Sequence, residues 1–361
     1  MGSCDIQQYV ECYYARLIWS VVPLFLLLFG TFGNVFNMII LVRRRMRNLS
    51  TSVYLLGLSA GDLTFLWTAM FPRALVQGYS VDIQVKSRYL CKFFTLFTGI
   101  SAGFSVWVLV LMTVERWFLT RWPVLARVKL TRRTSTAATI TALLLCVAFN
   151  AHLIDSADIR SVTVNQSVDN NTGLELECTY VDGNSMFYRR LWPLLVLVIL
   201  NLIPLPMILL GNISVLYTIL SQRRKLKQVN TCTRSVEQHS QTVHRKVKSV
   251  TKMLFFVSSM FICTTLPFTT GNVILSLQTT HSAKDRARQE LAYTVLRMLL
   301  YCNFTFNFVL YCISGSVFRQ ECAKLLKESR QSFIRLFMDT EHSNMTLPTA
   351  QSTNLDTLDT I

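Results

Sequence analysis

Charge is scarce in this 361-residue chain: 16% of its residues are charged, while 51% are hydrophobic. One soluble domain of this size would carry roughly a quarter charged residues, so the balance excludes that class and places the chain in a membrane. Histidine is also rare, five in all, and only His152 lies near an apolar run. The clustered ligands that a membrane metal hydrolase requires are therefore missing, which argues against an enzyme. There is no internal repeat and no ring of acids lining several apolar runs, which argues against a transporter or channel. Before Leu17 there is no short apolar region with a small-residue cleavage site, so the first apolar run is read as its own signal anchor.

Long apolar runs are abundant. Seven windows reach the roughly 20 residues needed to cross a ~30 Å hydrocarbon core: about 17–42, 53–74, 90–119, 134–154, 189–219, 250–278 and 291–313. The expected fold class is an all-α membrane protein, a seven-transmembrane helix bundle over 17–313, preceded by an extracellular segment, 1–16. Basic residues set the orientation. "RRRMR" at 43–47 follows span one, Arg121, Arg127, Lys129, Arg132 and Arg133 separate spans three and four, and Arg223, Arg224, Lys225, Arg245 and Lys246 lie between five and six. These loops are cytoplasmic. The loop after span four instead carries Asp158, Asp169, Glu175, Glu177 and Asp182, with glycosylation sequons at Asn165 and Asn170. The net charge of +16 is thus largely a topology signal and an attraction to anionic inner-leaflet lipid. Nucleic-acid binding is not expected, since no soluble domain is left to perform it.

Of the ten cysteines, Cys4, Cys12, Cys91 and Cys178 fall on the oxidising side, and disulfides are restricted to them. Cys91 opens span three and Cys178 ends the acidic loop, so a bridge between them would pin that loop over the mouth of the bundle. Cys4 and Cys12 either pair or stay free. Polar stretches at 228–244 and about 339–361 read as flexible. After span seven, "SVFRQECAKLL" places Phe318, Cys322, Leu325 and Leu326 on one helical face, an amphipathic helix over 314–327 lying on the inner leaflet. Cys322 is its palmitoylation candidate, and 328–361 is read as a flexible cytoplasmic tail.

An ionisable group at mid-bilayer costs roughly 2.5–3.5 kcal/mol on insertion scales, so polar residues inside spans mark function. The segments that stand out are "GN" at 33–34, "LSAGD" at 58–62, Ser105, "ERW" at 115–117 and "NFTFNFVLY" at 303–311. In this order, with the loop cysteines, they resemble the rhodopsin-like class of G-protein-coupled receptors along almost the whole chain. The wording of "FNFVLYCISGSVFRQE" is most similar to invertebrate neuropeptide receptors of the FMRFamide-receptor type.

The resemblance implies a plasma-membrane receptor whose partners are an extracellular peptide and a heterotrimeric G protein, with arrestin as a further candidate through the Ser/Thr-rich tail. Glu115 and Arg116 match the acid–Arg pair ending span three; Arg116 would be freed for the G protein when the inner end of span six swings outward. Asp62, Ser105, Asn303 and Asn307 match the positions around an allosteric sodium ion, with Asn34 bracing Asn303 or Asn307; no other cofactor is implied. Pro267, Asn307 and Tyr311 match further switch positions. Thr265 stands where a Trp is usual, Phe308 replaces a Pro, Asn212 falls where many members have Tyr, and span four lacks its Trp. Thr98 occupies the place of the amine-binding Asp, and Tyr301 that of the retinal-binding Lys, which excludes amines and retinal. Arg73 and Arg297 lie about three turns outward of Asp62 and Asn307. With Trp192, Phe268 and Asn272 they complete the expected ligand site. Arg297 either pairs with Glu290 or a loop acid, or grips a carboxylate or carbonyl-rich peptide end. A lipid or small acid is the alternative ligand.

Overall fold

The computed structural model describes residues 9–165, 172–180, 186–229, 237–277, 282–314 and 316–345. It is built from long helices: α1 (Val10–Leu41), α2 (Ser50–Tyr79), α3 (Arg88–Arg121), α4 (Arg132–Ser156), α5 (Trp192–Thr218), α6 (Glu237–Leu277), α7 (Ala283–Thr305), α8 (Asn307–Ser314) and α9 (Ser316–Met345). Among the described residues α1 to α5 are each long and apolar enough to cross a membrane, and α7 with Asn307–Ile313, bent by 54°, makes a sixth span. The apolar window 250–278 lies on α6, which begins before it at Glu237.

Helical periodicity explains which faces turn inward. On α1 Val21, Phe25, Leu28 and Phe32 are exposed, at the three- and four-residue spacing of one outward stripe, while Trp19, Leu26, Leu27, Asn34 and Asn37 are buried. The inward stripe joins Phe65, Leu66 and Met70 of α2 and Met298, Tyr301 and Phe304 of α7 in one core. Trp19 Nε1 donates to Thr294 Oγ1 at 3.1 Å within it. Close approach of α1 to α2 and the last span depends on small residues: a Cβ on Gly30 would meet Leu66 Cδ1 of α2 at 2.6 Å, and one on Gly33 would meet Phe308 Cβ at 3.0 Å. Helix α3 packs against α2, α4 and α5 and is the central post.

The acidic loop is a two-stranded antiparallel hairpin, β1 (Ala157–Asn165) and β2 (Thr172–Tyr180), with Ile159 opposite Cys178. Its β-branched Ile159, Val162, Thr163 and Val164 favour the extended chain. The all-α expectation is extended by this hairpin outside the membrane-spanning part. Sequon Asn165 ends β1, whereas Asn170 lies outside the described residues.

The chain divides into Met1–Phe318 and Arg319–Ile361. In the second unit α9 continues to Met345, past the expected end at 327, into the segment read as flexible tail. Phe333, Ile334 and Phe337 prolong the three- to four-residue apolar spacing, which accounts for the extension. Cys322 is half-buried on this helix and Leu326 is exposed; residues 346–361 lie outside the described ones.

Candidate functional site

At the extracellular end, Cys91 on α3 and Cys178 on β2 form a disulfide, Cα to Cα 5.6 Å. Arg88 Nε pairs with Asp158 Oδ1 at 2.9 Å, a second tie between α3 and the hairpin. The Ile159 backbone N–H, donating at 2.8 Å, and the Arg88 guanidinium hold the Asp158 carboxyl below the usual carboxylate range. The tie is therefore present above the ordinary carboxylate pKa and is lost only as acid carries the pH down through the depressed value. Cys12 is also disulfide-bonded; Cys4 lies outside the described residues.

Beneath the hairpin lies a cavity of about 1840 Å³, above the usual ~300–1,000 Å³ of a small-ligand pocket. Arg73, Thr98, Trp192 and Arg297 line it, so four of the expected ligand residues share one space. Arg297 sits over the Phe268 ring at 5.1 Å and the Tyr293 ring at 4.7 Å, an arrangement that orients the guanidinium by cation–π attraction. Tyr301 is fully buried beside Arg297, packed edge-on to Trp19 at 6.2 Å; it supports the site from below and does not line it. Asn272 does not join the site, being exposed on α6 and outside the cavity lining. Four residues beyond Phe268, it is turned by about 40° around the helix and lies one turn further out.

The expected pairing of Arg297 with Glu290 is absent. Among the described residues neither Arg73 nor Arg297 has a carboxylate within 4.0 Å. Arg286 adds a third cation to the lining, against the acids Asp82 and Glu177. Trp192 is stacked on Phe149 at 5.0 Å and meets His152 edge-on at 4.3 Å, a wall joining α4 to α5.

At mid-depth Asp62, Ser105, Asn303 and Asn307 are buried, and the Asn307 amide donates to Asp62 Oδ2. Among the described residues Asp62 Oδ1, Ser105 Oγ and Asn307 Oδ1 have no hydrogen-bond partner. A void of about 10 Å³ touches Ser105, Asn303 and Asn307. Unpaired buried oxygens are costly, and one carboxylate with neutral oxygens is the donor set a small hard cation takes, so these residues fit sodium. The brace expected from Asn34 goes elsewhere: its amide donates to Gly30 O at 3.0 Å and Phe304 O at 2.9 Å, capping backbone carbonyls across α1 and α7.

Thr265 is buried, its hydroxyl without a partner among the described residues, four residues after the buried Phe261. One turn outward, Thr269 Oγ1 donates to Asn201 Oδ1 at 2.9 Å and ties α6 to α5. Asn201 lies in the widened π-helical turn Val198–Leu202 before Pro204. Past Thr305 the last span bends without a proline. The Thr305 hydroxyl donates to Tyr301 O at 3.1 Å, competing within the helical ladder, and Phe306 leaves helical geometry at ψ 7°. Phe308, in place of the usual Pro, packs on Phe36 at 5.3 Å. Tyr311 is fully buried.

At the cytoplasmic end Glu115 and Arg116 are both buried. Glu115 accepts hydrogen bonds from Ser50 Oγ at 2.9 Å and Ser135 Oγ at 3.0 Å, while Arg116 Nη2 stands 3.6 Å from Glu115 Oε1. The two serines, with Tyr293, Phe149 and Asn201, are site residues that sequence reasoning missed. Hydroxyls and aromatics inside apolar helices are too common to stand out; only proximity reveals them.

An outer cavity under a disulfide-pinned hairpin, a buried polar cluster at mid-depth and an acid–Arg pair at the inner end of α3 define a membrane signal receptor. The family model of the 7 transmembrane receptor (rhodopsin family) matches residues 33–311, and the chain belongs to that family. It is a multi-pass plasma-membrane receptor that signals through G proteins, and not an enzyme. It is 23% identical over 310 residues to the mouse protein named "Probable C-C chemokine receptor type 3", covering 84% of this chain and 77% of that one. It is 26% identical over 333 residues to "G-protein coupled receptor E1" of equine herpesvirus 2, covering 89% and 78%. A shorter match of 123 residues, 30% identical, links it to the mouse KiSS-1 receptor, covering 33% and 31%.

Proposed function

We propose that the extracellular ligand is a peptide, and that its binding shifts a two-state equilibrium in which the inner end of α6 moves outward and admits a G protein beside Arg116. The observation that carries this reading is the outer cavity. It opens beneath the hairpin and presents two guanidiniums, Arg73 and Arg297, with no carboxylate within 4.0 Å of either among the described residues. A peptide's carbonyls or terminal carboxylate would supply the missing acceptors. Sodium at Asp62, Ser105, Asn303 and Asn307 would favour the resting state. Glycans at Asn165 and Asn170, a palmitoyl group on Cys322, inner-leaflet lipid and arrestin at the Ser/Thr-rich tail complete the proposal.

The same two arginines would also hold a small acid or a lipid headgroup, which is the second reading. Cells expressing the chain, challenged with a neuropeptide library and with fatty and small organic acids, separate the two. Calcium or cAMP responses to peptides alone are expected, and responses confined to the acids would replace the peptide reading.

A further inference from the structure

The outer cavity continues further inward than a ligand entering from outside requires. From Thr98 its lining follows α3 to Leu111, thirteen residues or about 20 Å along the axis. Even a start near the outer edge of a ~30 Å hydrocarbon core would carry this past its middle. On α4 the same lobe runs through Cys146 and Ala142 to Ala138, at a four-residue spacing that keeps one face. Thr141 and Leu145 line it too, yet both are exposed, Leu145 at 65%. Val196, Ile199 and Leu200 of α5 form the opposite side, while α3, packed on both helices, is the floor; the space between α4 and α5 is therefore open sideways at the depth where only hydrocarbon lies.

Small side chains make the opening. Gly103 faces Cys146 so closely that a Cβ there would lie 3.3 Å from Cys146 Sγ, and Ala138 and Ala142 leave room beside them. No Trp stands on α4 to fill the space. No charged residue lines the lobe, and Thr141 supplies one of its few polar side-chain groups. Water, which needs two to four polar partners in a cavity, is poorly served.

We propose that this inner lobe is a binding site for a lipid acyl chain, inserted from the bilayer between α4 and α5 over α3. Apolar contact has no hydrophobic driving force inside lipid. An unfilled cleft nevertheless forfeits the dispersion contacts of all its walls, and the neighbouring chains are the most concentrated molecules able to restore them. An acyl chain reaches mid-depth while its headgroup stays at the interface. A sterol ring system, anchored near the surface by its hydroxyl, lies too shallow. The inference does not depend on which ligand occupies the outer part.

The test uses the full chain in nanodiscs of phosphatidylcholine carrying a photoreactive diazirine near the acyl terminus, with labelled peptides identified by mass spectrometry. Labelling is expected to concentrate on residues 102–111 and 138–146, above that on the outward face of α1 around Phe25. Ala142→Phe in the α4 wall and Thr141→Trp at the mouth should each reduce it to the α1 level. Ile140→Trp, an exposed α4 position outside the cavity lining, should leave it unchanged. Thermal unfolding identifies folded variants, and Thr141→Trp, at an exposed position, keeps the test decisive if Ala142→Phe does not fold. Labelling no stronger than on α1, labelling equal in Thr141→Trp and the parent, or preferential labelling by a photoreactive sterol would overturn the proposal.

Discussion

Glu115 is satisfied by more than the arginine beside it. Ser50 and Ser135, from two other helices, donate to its oxygens at 2.9 and 3.0 Å, and the Arg116 contact at 3.6 Å is the loosest of the three. The hydroxyls fix the carboxylate where Arg116 can reach it. Glu115→Gln removes the charge but keeps an acceptor, so agonist-free nucleotide exchange on G protein in membranes should rise. Ser135→Ala should act in the same direction and less, since two donors remain. Exchange in Glu115→Gln equal to the parent would remove the pair from the resting restraint. Arg297 poses the opposite case, a cation between two rings with no carboxylate within 4.0 Å among the described residues. Removing a charge-assisted hydrogen bond costs about 1.5–3 kcal/mol, or roughly ten- to a hundredfold in affinity. Arg297→Ala should therefore weaken agonist potency by that factor at normal surface expression, and Arg297→Lys should recover only part, because an ammonium lacks the planar fork. Potency within about threefold of the parent for both would make Arg297 a packing residue.

The helices were legible because lipid leaves few alternatives: a backbone crossing hydrocarbon must satisfy its own hydrogen bonds, so apolar length alone marks a span. Where water replaces lipid that logic ends. Helix α6 begins at Glu237, within the polar stretch 228–244 read as flexible, and α9 outruns its expected end. The hairpin was hidden because Ile159, Val162 and Val164 of β1 do not keep the two-residue alternation that marks a strand. The bend after α7 follows from Thr305 and Phe306, with Phe308 where the resemblance would place a Pro. Polar residues in apolar runs, such as Asp62 and Arg116, were legible through their insertion cost; the serines around Glu115 were not, since a hydroxyl can bond its own helix and costs little. For the hairpin, Cys178→Ser removes its covalent link to α3 and leaves the exposed Arg88–Asp158 pair, which is weak and screened by salt. Surface expression and ligand binding should fall together in that variant. Binding unchanged at equal expression would show that the hairpin needs no anchor.

Across the whole molecule, three sites along α3 must communicate over the length of the bilayer, and the mid-depth cluster lies between the other two. Its Asp62 Oδ1, Ser105 Oγ and Asn307 Oδ1 have no hydrogen-bond partner among the described residues, and the adjoining void of about 10 Å³ has room for about one water-sized occupant. A bound sodium ion would tie α2, α3 and the last span together. If it prefers the resting arrangement, linkage requires that agonist and sodium weaken each other equally. A coupling of about 1.4 kcal/mol, within the usual range, lowers agonist affinity about tenfold when sodium replaces potassium. The same preference gives a second readout without agonist, because a ligand of the folded state stabilises it in proportion to the logarithm of its concentration. The full chain in detergent should unfold at a higher temperature as sodium is raised at constant ionic strength, and Asp62→Asn should abolish both effects. A full sodium effect retained in Asp62→Asn would place the ion elsewhere, and the absence of either effect in the parent would leave the cluster a hydrogen-bonded hinge without an ion.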